Sequence, residues 1–275
     1  MKNEVLFEIL GSAVIFAGLA VFGFWLARTH LAVNSLKYAP IRRNDMPLYL
    51  PFMFMFIWLF ITALTTSILQ KSCGQSESLV VYIVRLLTSS GFIIAGLILA
   101  HYYFVRGLKG FGIRFKTLPE DLYYAFLNLL CVWPFIFLGL VAVEFVGKLI
   151  VGEDFQIEKH QSLKTIVDSN SMALKIIMVV LITIITPIFE EILFRGLIQS
   201  AIRGVIGNPW ISIFITSAIF TSLHEPQHWL ALFAIATCLG YAYEKSGSLT
   251  RPILIHAIFN TINTVTALYV SLNAG

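Results

Sequence analysis

An all-α, polytopic membrane bundle is the fold class this sequence predicts, and three observations predict it. Of the 275 residues, 58% are hydrophobic and 12% are charged, with a mean hydropathy of +0.84, whereas soluble domains carry about 25% charged residues. The apolar residues gather into eight stretches, most of them near the length of about 20 residues that a helix needs to cross a bilayer. Lysine and arginine fall mainly in the short segments between those stretches, as membrane topology requires. The chain therefore reads as a single integral membrane domain over 1–275, with the lipid bilayer as its first partner. A formal charge of +4, spread along the loops, does not suggest nucleic acid.

The expected spans run over 4–27, 47–70, 79–104, 121–150, 173–200, 209–224, 228–244 and 252–271. No small-residue cleavage site follows the first, so it is expected to remain as a span rather than leave as a signal peptide. The fourth and fifth are long enough to tilt or protrude, and the sixth and seventh are short. Thr117-Leu-Pro-Glu120 reads as a capping box with proline in the first turn, opening the fourth. Asn208-Pro209 places a cap and a first-turn proline before the sixth, and Thr250-Arg-Pro252 opens the eighth after a turn at Gly247.

Orientation follows the cations. Arg28, Lys37, Arg42 and Arg43 mark the first loop, and Arg106, Lys109, Arg114 and Lys116 the third. Arg203 lies in the fifth, and Lys245 and Arg251 in the seventh. The odd loops are then cytoplasmic and both termini external. Cys73, Cys131 and Cys238 are an odd, dispersed set, which gives neither a disulfide framework nor a cysteine metal site.

Chemistry concentrates in Thr186-Pro-Ile-Phe-Glu-Glu-Ile-Leu-Phe-Arg195, where two carboxylates and a guanidinium interrupt an apolar run. An ionisable group at membrane depth costs about 2.5–3.5 kcal/mol on insertion scales, so a function or a partner must retain it. Glu191 and Arg195 stand four apart, acid first, and share a helix face. Glu190 points about 100° away and has no partner on its own helix. An unpaired carboxylate so placed can serve as a general base near neutral pH. The plainer reading is a packing ion pair with one snorkelling glutamate. Glu8, Arg85, His101 and Glu144 are read as structural partners or end-of-helix residues.

Three more polar clusters follow: Phe220-Thr-Ser-Leu-His224, then Glu225-Pro-Gln-His228, then His256-Ala-Ile-Phe-Asn260, whose i, i+4 spacing puts His256 and Asn260 on one face. Counted from the intervening loop, Glu190 and His224 lie at matching depth to within roughly one turn. A glutamate and a histidine at one depth can hold and deprotonate a water, and a His/Asn pair can donate to an oxyanion. His224-Glu-Pro-Gln-His228 also matches H-E-x-x-H, the helical zinc motif. That motif needs an unbroken helix, and Pro226 breaks it and pushes Glu225 out of the helical region.

In order and spacing, Glu190-Glu191-Ile-Leu-Phe-Arg195, Phe220-x-x-x-His224 and His256-x-x-x-Asn260 resemble the E-E-x-x-x-R, F-x-x-x-H and H-x-x-x-N signatures of the CPBP intramembrane proteases. That family takes in type II CAAX prenyl endopeptidases, Abi proteins and lysostaphin-resistance-protein-A-like proteins. The likeness covers about 175–265, which would be the catalytic core. It implies endoproteolysis in or beside the bilayer, on prenylated CAAX-type proteins or other membrane-associated peptide precursors. By that resemblance Glu190 is the base, His224 helps it hold the water, and His256 and Asn260 stabilise the oxyanion. Glu191 and Arg195 position the site, and Phe220 supports His224. No cofactor is favoured, because asparagine is a poor zinc ligand and a good oxyanion donor. The alternative is a zinc metalloprotease with Glu190, His224 and His256 as ligands. A catalytically silent scaffold or bacteriocin-immunity protein of the same fold is a second reading, and a transporter a third, though no inverted repeat supports it. The expected membrane is the plasma (inner) membrane in a prokaryote and the endoplasmic reticulum in a eukaryote.

Overall fold

The computed structural model describes residues 2–73, 79–158 and 160–274. In chain order these form α1 (Lys2–Arg28), α2 (Tyr49–Cys73), α3 (Leu79–Tyr103), α4 (Leu108–Phe111), α5 (Leu118–Val151) and α6 (Gln161–Asp168). A long composite helix α7 (Met172–Ile206) follows, then α8 (Pro209–Ser222), α9 (Trp229–Ser246) and α10 (Thr250–Ala274). The chain is all-α and polytopic, an integral membrane protein, as its composition predicts.

Six of the eight expected spans are long and apolar enough to cross a membrane: Ile9–Arg28, Tyr49–Leu69, Leu79–Tyr103, Leu108–Val151, Met172–Ile206 and Thr250–Ser271. The expected sixth is α8, whose 14 residues reach about 21 Å against a hydrocarbon core of about 30 Å. The expected seventh is α9, which has 18 residues but ends on the polar run Tyr241-Ala-Tyr-Glu-Lys-Ser246. Among the described residues, six helices are thus long and apolar enough to cross a membrane, and the expected count of eight is not confirmed.

The residues group into two compact units. The first takes Met1–Ile41, Phe115–Glu158 and Asn208–Ile255, and so holds α1, α5, α8, α9 and the first turn of α10. Here α5 is the central helix, packed by α1 and α9. Pro134 removes an N–H inside α5, and Gly18 of α1 lies against the carbonyl of Leu130 four residues earlier, where any Cβ would collide with it. A polar clamp closes one end. Buried Asp121 accepts from Thr117 Oγ1 (2.9 Å), Ser248 Oγ (2.6 Å) and Arg251 Nε (2.9 Å). The Arg251 guanidinium also lies 4.6 Å from the Tyr124 ring and reaches Glu120 at 3.4 Å. This clamp replaces the expected capping box: α5 starts at Leu118 without a side-chain cap, because Thr117 donates to Asp121 and Glu120 turns to Arg251. The other two starts form as read. Asn208 Oδ1 accepts from Trp210 and Ile211 N–H, and Gly247 at φ +67° ends α9 just before α10.

The second unit takes Arg42–Arg114, Lys159–Gly207 and His256–Gly275. Tyr82, Ile166, Leu174, Met178 and Leu181 form one buried cluster, with Leu268 of α10 packed against it. Phe189 of α7 meets Trp58 of α2 and Phe92 of α3, and Ile192 fills the space beside Gly96. The segment before α2 pairs with the end of α3, Asp45 N–H to Tyr103 O and Val105 N–H to Arg43 O, both at 3.0 Å. The end of the first loop and the start of the third therefore meet in this unit. Arg85 stacks on Tyr82 at 5.4 Å, and Glu144 in the first unit pairs with Lys148 on an exposed face. His101 sits exposed near the end of α3. The expectations for Glu8 and Cys73 concern side chains outside the described set; among the described residues Cys131 forms no disulfide, and Cys238 Sγ donates to Asn128 O at 3.6 Å.

Candidate active site

The site is built on α7. This helix runs as α over Met172–Val180, as π over Leu181–Ile185, as α over Thr186–Glu190, as π over Glu191–Gln199, and as α again to Ile206. Pro187 stands where the first π segment gives way to α. Each π segment slips the i→i+4 ladder by one residue, so it resets which face the following side chains occupy. Glu190 and Glu191 straddle the start of the second π segment.

Glu191 is fully buried and Arg195 is 1% exposed. Arg195 Nη1 donates to Glu191 Oε1 at 2.9 Å, and His256 Nδ1 meets the same oxygen at 2.8 Å. A carboxylate oxygen can only accept, so Glu191 fixes the proton of His256 on Nδ1 and turns Nε2 outward. Nε2 faces Glu190 Oε2 at 3.7 Å, and Glu190 keeps 13% of its side chain accessible. Among the described residues, Glu191 Oε2 has no hydrogen-bond partner. The two neighbouring carboxylates thus live differently: Glu191 is locked by two donors, and Glu190 stands at an opening beside an imidazole nitrogen.

His256 and Asn260 do share a face of α10. They meet α7 at two levels, His256 at Glu190 and Glu191 and Asn260 at Ile182, whose carbonyl accepts from Asn260 Nδ2 at 2.9 Å. The sequence did not single out Pro187, although a proline inside an apolar helix signals a carbonyl that must find its donor elsewhere.

Phe220 and His224 belong to the first unit. α8 ends at Ser222, so His224 lies in the turn beyond the helix rather than on it. Its Nδ1 donates to Phe220 O at 2.8 Å, its ring packs on Phe220 at 4.6 Å, and its own carbonyl accepts from Trp229 Nε1. The H-E-x-x-H match is not one helix. Glu225 is extended at φ −61°, ψ 133°, Pro226–His228 form a 3₁₀ turn, and Glu225 and His228 face each other at 3.5 Å.

Among the described residues, Glu190 and His256 supply two of the donors a zinc site would need. Glu190 Oε2 and His256 Nε2 are spaced close to the roughly 3.4 Å that separates two ligands of a tetrahedral zinc. A zinc site takes at least three protein ligands, and no group of three His, Cys, Asp or Glu among the described residues stands where it could hold a metal.

Residues 172–262 match the family model of type II CAAX prenyl endopeptidases of the Rce1-like kind. This segment opens with the first residue of α7 and closes on α10, and so encloses all three motifs, from Glu190 to Asn260. The family match and the CPBP resemblance carried by those motifs agree. The chain is also 27% identical over 129 residues to an uncharacterized 24.3 kDa protein of Escherichia coli, covering 45% of this chain and 59% of that one. It is 24% identical over 139 residues to the UPF0177 protein YaiF of Lactococcus lactis subsp. lactis (strain IL1403), covering 49% and 62%. The chain thus spans about three fifths of these curated relatives. No solved structure matches it.

Proposed function

We propose that the protein is an intramembrane endopeptidase in which Glu190 activates the attacking water. The observation that carries this reading is the asymmetry of the carboxylate pair. Glu191 is spent on Arg195 and His256, whereas Glu190 is accessible and faces His256 Nε2 at 3.7 Å. A water at Glu190 would lose a proton to that carboxylate as its oxygen bonds to the peptide carbonyl carbon. The carbonyl becomes an oxyanion, and His256, when protonated at Nε2, is placed to donate to it while Glu191 holds the ring. Glu190 then returns the proton to the leaving nitrogen as the C–N bond breaks, giving a carboxylic acid and an amine. For His224 as a second group on the water, the support is the resemblance alone. We propose residues 175–265 as the catalytic core of one membrane domain, working without a resident metal.

The proposed substrates are membrane-associated peptide precursors, among them prenylated CAAX-type proteins. Support comes from the Rce1-like match and from the depth of the site in an apolar helix. The test compares membrane-associated peptides from cells carrying wild type or Glu190→Ala. Fragments that vanish with Glu190→Ala, at equal protein level, support the reading. Identical peptide profiles would sink it.

A further inference from the structure

We propose that Asn260 is a positioning residue: its amide supplies the hydrogen bond that Pro187 cannot make, and so holds α7 in the register that presents Glu190 and Glu191 to His256. This rests on the reading above and deepens it. In the first π segment Thr186 N–H bonds to Leu181 O, five residues back. Continued in that register, Ile182 O would receive the N–H of residue 187. Residue 187 is proline and has none. At membrane depth no bulk water substitutes, and an orphaned carbonyl is costly. Asn260 Nδ2 donates to that carbonyl, at 2.9 Å.

The consequence reaches the carboxylates. Glu190 lies three residues beyond Pro187, in the short α segment between the two π segments. The register in which the first segment closes decides which way Glu190 and Glu191 face. Asn260 sits one turn after His256 on the same face of α10, so one side chain fixes both the carbonyl at Ile182 and the height at which His256 meets Glu191. The resemblance gives Asn260 to the oxyanion; here one of its two amide N–H donors is committed to the backbone.

The test exploits the proline. In an Asn260→Ala chain, adding Pro187→Ala restores a backbone N–H at position 187, which repairs a backbone defect and cannot replace a donor to substrate. The readouts are the thermal midpoint of the full-length, detergent-solubilised protein and the ¹⁵N signals of the His256 ring, assigned with His256→Gln. Asn260→Ala is expected to lower the midpoint by several degrees and to erase the single Nδ1–H tautomer signature of His256. Adding Pro187→Ala is expected to bring back more than half of both. The proposal is overturned if Asn260→Ala keeps the midpoint and the His256 signature while proteolysis is lost, or if the double variant stays as impaired as the single. Should Asn260→Ala not fold, the double variant decides alone, supporting the proposal by folding with the wild-type signature and overturning it by failing to fold. An inactive wild type would overturn the protease reading and leave this comparison intact.

Discussion

Removing Glu191 and removing Glu190 should have opposite signatures, although the two are adjacent and chemically identical. Glu191→Ala takes a fully buried acceptor from Arg195, itself 1% exposed, and from His256. Breaking a buried pair by deleting one partner leaves an uncompensated charge and costs about 3–5 kcal/mol. At about 2–4 °C per kcal/mol for a chain of this size, the midpoint should fall by about 10 °C. Glu190→Ala removes a partly accessible carboxylate whose contact with His256 is 3.7 Å long. Its cost should stay within about 1 kcal/mol, or a few degrees. Intrinsic fluorescence of the five tryptophans during a thermal ramp in detergent reads both. Equal destabilisation by the two variants, or an unshifted midpoint for Glu191→Ala, would refute the assignment of Glu191 as the anchored member and Glu190 as the free one.

Other consequences follow from the same structure. Asp121→Ala unpairs the buried side of Arg251 and frees the turn between α9 and α10, so the midpoint should again fall by roughly the cost of a broken buried pair, about 3 kcal/mol; an unchanged midpoint would show that the clamp is idle. Gly196→Ala puts a methyl against the Phe111 ring and should cost about 1–3 kcal/mol by overpacking, whereas the same change at Gly204, where nothing lies within 4 Å of the added Cβ, should be neutral or stabilising in the same assay. Burial chiefly holds His228 below its ordinary value of 6.5, against the opposing pull of Glu225. The folded state then binds that proton more weakly than the unfolded state, so its stability contribution is present above pH 6.5 and is lost as pH falls through the lowered value. His228→Gln should flatten that part of the stability profile between pH 7 and 5, and an unchanged slope would count against it. Metal analysis of the purified, monodisperse protein should find no stoichiometric zinc; one tightly held zinc per chain would reopen the metalloprotease reading, with alanine changes at Glu190, His224 and His256 to locate the ligands.

How much of this was legible in the sequence depends on how local each feature is. The long apolar helices and their starts at Asn208 and Thr250 were readable, because hydropathy, caps and proline placement act within a few residues. So were the Glu191–Arg195 pair and the shared face of His256 and Asn260, both of which are spacings on one helix. Pro226 alone predicts the break in the H-E-x-x-H match, and the chain does turn there between α8 and α9. What failed was decided by distant partners. The Thr117 capping box is undone by Asp121, whose other partners Ser248 and Arg251 come 127 and 130 residues later. An acid in a first turn carries no signal of such partners, because it also complements the helix dipole. The two π segments of α7 were invisible too, because helical register near a proline is settled by what packs against it. That register is what separates Glu190 from Glu191, so the finest feature of the site was the least readable. The span count is not confirmed at α8 and α9, where apolar composition is adequate but length or polarity falls short.

The most direct test of the account is the cleavage rate of Glu190→Gln against wild type, in proteoliposomes, on a peptide identified from the cellular comparison. Glu190→Gln keeps the shape of the side chain and removes its ability to take a proton. A general base contributes about 10²–10⁴-fold, so the rate should fall by at least about 100-fold with the thermal midpoint unchanged. Cleavage within a few fold of wild type would mean that some other group activates the water, and the central claim would fail.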